Sequence, residues 1–215
     1  MPSNTKHSRR NLKVLQTILA NPAVCRLSGL VNSAYKQFCP GIYQEYKDNS
    51  DALHSWDPSL RQNFPKSVFA ATTVNFGDEN GQAITEDHVD SNNYGPGGCT
   101  ISNGGRFNDR CGGELVLWTL GVAVRFPAAS SAIILSGLVR HQNLPIQPGE
   151  TRYSITQYSA GALFRYVANG FRNDKERLAH ASAAEKQAWK VESAQRWKSS
   201  LAKFRIFTPK RPPTT

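Results

Sequence analysis

The sequence predicts an α+β fold, in which short antiparallel strands build a sandwich or barrel, the double-sheet jelly roll included, between N- and C-terminal helices. Three observations predict it. Apolar residues recur at near-helical spacing before residue 39; six short β-prone runs separated by Gly, Pro, Ser or Asn lie between 67 and 167; and from 174 onward Ala, Glu, Lys and Gln dominate.

Leu12, Val14, Leu15, Ile18 and Leu19 mark a first helix, Asn21 and Pro22 break it, and a second runs over 24–38 until Cys39, Pro40 and Gly41. Residues 42–65, rich in Asp, Asn, Ser and aromatics, read as an irregular wrap around the core, with a turn or short helix starting at Trp56, Asp57 and Pro58. Strands are expected at 67–76, 114–120, 122–126, 132–135, 152–158 and 162–167. Residues 77–81 are a turn. Residues 91–113 read as a long loop, with seven glycines between Gly95 and Gly113, and a loop of that length is usually functional. After Gly170 a helix capped by Asn173 or Asp174 runs to about Phe204, broken near 181–184, with Leu178, Trp189, Trp197, Leu201 and Phe204 as its buried stripe and a basic tail beyond. The chain thus divides into a helical and irregular flank (1–65), a strand core (66–170) and a basic helix with its tail (171–215).

At 215 residues with 39% hydrophobic content, the chain is too apolar for extended disorder and long enough for one domain. Its longest apolar runs, such as 128–135, fall well short of the roughly 20 residues that cross a bilayer, and no signal-like segment opens it. Cys25, Cys39, Cys99 and Cys111 form no C-x-x-C pair, so reduced thiols in an intracellular compartment are expected. The net charge is +10, carried as +4 on residues 1–65, −1 on 66–170 and +7 on 171–215. Basic flanks around a neutral middle attract polyanions, nucleic-acid phosphate above all, or simply keep the chain soluble.

The chemistry centres on His88, Val89 and Asp90. In a strand, residues i and i+2 share a face, so this imidazole and carboxylate can grip one metal ion from one side. His141 supplies a third ligand, and two His plus one carboxylate leave three positions open, the arrangement of non-haem Fe(II) centres. Arg152 and Ser154, again at i and i+2, can hold the far carboxylate of a dicarboxylic acid. The lone His7, His54 and His180 have no partner at ligand spacing. Glu86 and Asp87 read as solvated charges, and Trp118, Trp189 and Trp197 as packing residues.

The order His88-x-Asp90, then Gly112, Gly113, Glu114 and Leu115 opening a strand, then His141, then Thr151, Arg152, Tyr153 and Ser154, resembles the Fe(II)/2-oxoglutarate-dependent oxygenase superfamily over about residues 68–167. Within it, residues 88–93, with Asn92 and Asn93 soon after His-x-Asp, are most similar to TET/JBP-type oxygenases, particularly their mushroom relatives, as are the N-terminal helices and the strand at 73–77. The resemblance implies a double-stranded β-helix core and an enzyme in which His88, Asp90 and His141 bind Fe(II) and carry catalysis. It implies 2-oxoglutarate at Arg152, Ser154 and Asn75, with ascorbate as reductant. It implies oxidation of a methyl group on a base such as 5-methylcytosine, with DNA the favoured partner and the base flipped into a pocket under the glycine-rich loop; the basic tails, for their part, fit an intracellular, nuclear protein. Asn92, Asn93, Tyr94 and Arg106 are candidate substrate contacts. The usual Pro-Gly-Asp turn is here Pro127, Ala128, Ala129 and Ser130. The same chemistry on a protein side chain or small metabolite, and a non-catalytic nucleic-acid-binding module, are the alternative readings.

Overall fold

The computed structural model describes residues 1–179, 181–202 and 204. Three helices open the chain: α1 (Arg9–Leu19), α2 (Pro22–Phe38) and α3 (Pro40–Trp56). Eight strands follow: β1 (Ala71–Asn75), β2 (Thr85–His88), β3 (Cys99–Arg106), β4 (Leu115–Leu117), β5 (Val122–Val124), β6 (Ser131–Ile134), β7 (His141–Asn143) and β8 (Thr151–Tyr158). Then come α4 (Gly161–Ala168), α5 (Asp174–Ala179) and α6 (Ala183–Leu201). The strands form two four-stranded antiparallel sheets, one in the order β1-β8-β3-β6 and the other β2-β7-β4-β5.

Alternation along β8 sorts its side chains between two environments. Arg152, Ser154, Thr156 and Tyr158 face a cavity shared with the second sheet. Gln157, from the opposite face, accepts hydrogen bonds from Ser28 of α2 (2.9 Å) and from Ser67 (3.2 Å), which fastens the helical layer to the first sheet. A second anchor lies in α2, where Asn32 donates to the Lys66 carbonyl and accepts from the Val68 amide. Between helices and sheet lies a core of Tyr35, Ile42, Tyr46, Val68 and Phe69. Tyr35 accepts from the Gly98 amide at 2.9 Å, and a Cβ on Gly98 would meet the Tyr35 ring at 2.7 Å, so close approach requires glycine there. Burial pushes the Tyr35 and Tyr46 hydroxyls well above the ordinary phenol range, so both stay neutral. A smaller core of Leu115, Leu117, Phe126 and Ile134 joins the sheets.

Four local expectations are corrected. Residues 42–56 of the segment read as irregular lie in α3: Pro40 sits in its first turn, and Ile42, Tyr46 and Leu53 fall on one buried helical stripe. Residues 99–106 of the expected loop form β3, an inner strand between β8 and β6, and residues 162–167, expected as a strand, lie in α4. Trp118, expected in the core, is exposed. The break near 181–184 matches the gap between α5 and α6. Leu178 and Trp189 are half-buried and Phe204 packs on the first core, whereas His180, Lys203, the tail over 205–215 and the side chains of Trp197 and Leu201 lie outside the described residues. The turn at 127–130 closes through Ser130 N–H to the Pro127 carbonyl, with Ala129 at φ 62°, a left-handed conformation that costs an L-residue about 1–2 kcal/mol. Among the described residues no single helix is long and apolar enough to cross a membrane; α1 and α2 pass only as a pair bent by 67°.

Replacing Tyr35 by Phe leaves the buried Gly98 amide without its acceptor, which costs about 1–3 kcal/mol. A lower urea midpoint with an unchanged slope is the expected result.

Candidate metal and co-substrate site

The two sheets enclose a cavity of about 440 Å³ whose wall includes His88, Asp90, His141, Arg152 and Ser154. The ligand atoms of His88, Asp90 and His141 all lie within 4.8 Å of one another, as a single cation requires. His88 ends β2 and stands opposite His141 of β7, their ring centroids 4.4 Å apart. Asp90 lies just past the strand end rather than in it. Its amide donates to the Ser136 carbonyl (2.9 Å), which returns its carboxylate toward His88, with Oδ1 at 3.4 Å from Nε2.

Each ligand has its own support. Nδ1 of His88 bonds the Glu86 carbonyl (2.8 Å) and Nδ1 of His141 the Val139 carbonyl (2.9 Å). Such bonds place the proton on Nδ1 and leave Nε2 as the lone-pair donor, the tautomer a metal needs. His141 is 5% exposed, and burial pulls its pKa below the usual imidazole value, against the pull of the Val139 carbonyl, so the ring is neutral and ligand-competent. Asn93 donates to Asp90 Oδ2 and to Ser136 Oγ, both at 3.1 Å, and so orients the carboxylate. Nearby Cys99 is buried and its thiol is pushed up to about 12, which keeps it a neutral wall.

Arg152 is 5% exposed, and burial lowers its pKa to about 10, so it still carries its charge at neutral pH. Its Nε donates to Asn103 Oδ1 (2.8 Å), the rings of Phe107 and Phe126 flank it at 6.0 and 5.8 Å, and Nη1 is buried without a hydrogen-bond partner among the described residues. A desolvated cation with an unsatisfied donor is costly unless an anion meets it, and a carboxylate would do so. Ser154 shares its face and accepts from Asn75 Nδ2 at 3.2 Å across the β1–β8 register. The donor set therefore fits a divalent metal bound by two imidazoles and a carboxylate, together with an acid held by Arg152.

No protein-family model matches the chain, and no curated protein matches it in sequence. Among solved structures it is similar to NgTET1 in complex with 5mC DNA, at 16% identity and a TM-score of 0.40, over 66% of this chain. The chain spans about half the NgTET1 chain, 53%. It is also similar to the viral collagen prolyl hydroxylase of Paramecium bursaria Chlorella virus 1. In the 2OG complex the identity is 10% and the TM-score 0.29, over 52% of this chain and 68% of that one; in a truncated form they are 12% and 0.27, over 65% and 86%. Likenesses this loose leave the chemistry to the residues themselves.

The remaining candidates divide. Asn75, Asn92 and Asn93 line the cavity, Asn75 and Asn92 exposed and Asn93 half-buried. Tyr94 lies away from it, stacked on Phe164 at 3.9 Å and donating to Glu45, while Arg106 sits at the exposed end of β3. Asp87, expected to be solvated, pairs with Arg140. The sequence reading missed Ser136 and Asn103, because a serine after an apolar run and an asparagine among glycines carry no signal until strands bring them to Asp90 and Arg152.

Two substitutions test these assignments. Asn93→Ala frees the Asp90 carboxylate and is expected to weaken Mn(II) binding about 10- to 100-fold by titration, with the fold retained. In the presence of Mn(II), 2-oxoglutarate at a hundred times its Kd stabilises the native protein by about 2.7 kcal/mol, roughly 5–10 °C for a domain of this size. Arg152→Met is expected to lose that shift while still binding Mn(II).

Proposed function

We propose that the chain is an Fe(II)/2-oxoglutarate-dependent dioxygenase on a double-stranded β-helix, with residues 66–170 as its core and a 5-methylcytosine-like base in DNA as its substrate. One observation carries the chemistry: a cavity that holds three convergent metal ligands also holds a buried arginine with an unsatisfied N–H. The strand orders β1-β8-β3-β6 and β2-β7-β4-β5 support the fold assignment, since they are those of an eight-stranded double-sheet roll.

With Fe(II) and 2-oxoglutarate bound, such a centre consumes dioxygen, releases succinate and carbon dioxide, and oxidises a substrate C–H bond. This chain's residues position and protect. The Glu86 and Val139 carbonyls hold the two imidazoles with Nε2 inward, and Asn93 with Ser136 holds the Asp90 carboxylate. Arg152 takes the far carboxylate of the acid, kept in place by Asn103 and two aromatic rings. Ile101, Leu115 and Phe126 give the cavity apolar walls that limit water. The DNA substrate is supported by the sequence resemblance at residues 88–93 and by a charge of +10 concentrated in both flanks, which favours phosphate.

The test is incubation with Fe(II), ascorbate, 2-oxoglutarate and duplex DNA carrying 5-methylcytosine, followed by digestion to nucleosides and mass spectrometry. An oxidised methyl group that depends on 2-oxoglutarate, and that His88→Ala does not produce, is the expected outcome. Succinate without an altered base would move the chemistry to a protein side chain or metabolite, and absence of succinate would overturn the oxygenase reading.

A further inference from the structure

Residues 1–44 hold six Lys and Arg and no Asp or Glu. Four of the six, Lys6, Arg9, Arg10 and Lys13, lie within eight residues of chain in and just before the first turns of α1. Helix geometry sorts this segment. Leu12, Leu15, Ile18 and Leu19 form one half-buried stripe turned to the protein. At about 100° per residue, Arg9, Arg10 and Lys13 fall together within about 100° of arc on the side away from that stripe. All four cations are exposed, and none forms an ion pair among the described residues.

The cations are also held in place. Ser8 caps α1, its hydroxyl accepting from the Asn11 amide at 3.2 Å. Asn4, earlier in the arm, donates to the Ser59 carbonyl (3.0 Å) and accepts from the Arg61 amide (2.8 Å). The arm that carries Lys6 is thus pinned to the protein on both sides of that residue. Asp57, two residues before Ser59, is itself engaged by the Ser59 amide (3.0 Å) and hydroxyl (2.6 Å). A charged surface fixed in one arrangement loses little entropy when a partner meets it. The arrangement is costly to the free protein: Arg9 and Lys13 are like charges at i and i+4, and both arginines stand in the first turn, at the positive end of the helix dipole, with no carboxylate in that turn. A bound polyanion removes that repulsion.

We propose that this face of α1, with the pinned arm before it, is a track for the phosphate backbone of a nucleic acid, outside the cavity, whose wall none of these residues joins. The choice of a nucleic acid rests on the reading above; the track rests on the charge, exposure and fixation of these side chains. Duplex DNA presents one charge per about 1.7 Å of axis, the density that several cations within a short stretch of chain engage at once. A lipid surface is the poorer partner, because an interfacial helix lays an open apolar face into the bilayer. Here that stripe is half-buried against the chain, and among the apolar residues of α1 only Val14 is exposed, at 48%.

The experiment measures, by anisotropy, binding of a fluorescein-labelled, unmodified DNA duplex to the native protein and to two triple variants. One is Arg9→Gln with Arg10→Gln and Lys13→Gln; the other, Arg110→Gln with Arg172→Gln and Lys175→Gln, removes the same charge from exposed positions elsewhere. We expect the α1 variant to raise Kd roughly tenfold or more at low salt, and to lower the slope of log K against log salt by about 2–3, since each phosphate contact on a duplex contributes about 0.9. Its melting temperature is expected to stay level or rise, because repulsion at the helix start is removed, whereas a packing role would lower it. Equal losses in the two variants would reduce the effect to net charge and overturn the proposal, as would a native protein that does not bind the duplex at low salt. Loss of binding to phosphatidylserine vesicles with unchanged DNA affinity would overturn it too, by making the face a membrane surface. Succinate formation from 2-oxoglutarate without DNA is measured alongside and is expected to be equal in native protein and α1 variant: its absence from the native protein counts against the oxygenase, whereas the anisotropy series decides the track.

Discussion

The site depends on the register of β7 between β2 and β4. A strand's side chains alternate, so a slip of one residue would turn His141 to the outer face and bring Gln142 or Arg140 inward, dismantling the ligand set without breaking the sheet. Register is held by burial: Leu115 and Leu117 of β4 pack against Phe126 and Ile134 and can face only inward, and they stand opposite Asn143 and His141. Hydrophobic packing of the neighbouring strand thus sets the direction of the imidazole. At the far end Asn143 donates to the Ala83 carbonyl and fastens β7 to the chain before β2.

Against that frame the site stores unfavourable terms. Arg152 carries its charge under burial that drags its pKa to about 10, with one N–H unmet. Asn103 and the two rings offset part of this cost and leave the remainder for a ligand. Asp90 keeps its place through the shared bonds of Asn93 and Ser136, not through a strand. The two parts of the candidate site therefore differ in kind: one is three side chains whose imidazoles are aimed by backbone carbonyls, the other a buried cation with an N–H that no described residue meets.

The helical layer supplies rigidity. Tyr35 and Tyr46 press α2 and α3 on the first sheet at Gly98, one residue before β3, and Gln157 ties β8 to α2 from the opposite face to Arg152. One strand thus links the helical core to Arg152. The exposed Trp118 turn stands on the other sheet, tied by hydrogen bonds to Arg140 and Gln142 on either side of His141.

By itself the sequence marked the candidate ligands and determined the short strands that were locally consistent. Arg152 and Ser154 were legible as a spacing of two within one strand, His88 and Asp90 as a spacing of two that runs past the end of β2, and His141 by its order between those pairs; β1, β4, β5, β6 and β8 were legible because β-branched and apolar runs stop at turn residues. Only the tertiary structure decided β3, whose serine, asparagine and glycines have little strand preference and pair because β8 and β6 flank them on both sides. It decided α4 as well, since a short apolar run fits helix and strand equally until its neighbours choose. The helical stripe of Ile42, Tyr46 and Leu53 was present in the sequence, hidden among polar residues. The supports of the site, Ser136 under Asp90 and Asn103 under Arg152, were not legible, because a hydrogen-bond partner 46 or 49 residues away in the chain exists only once the sheets have closed.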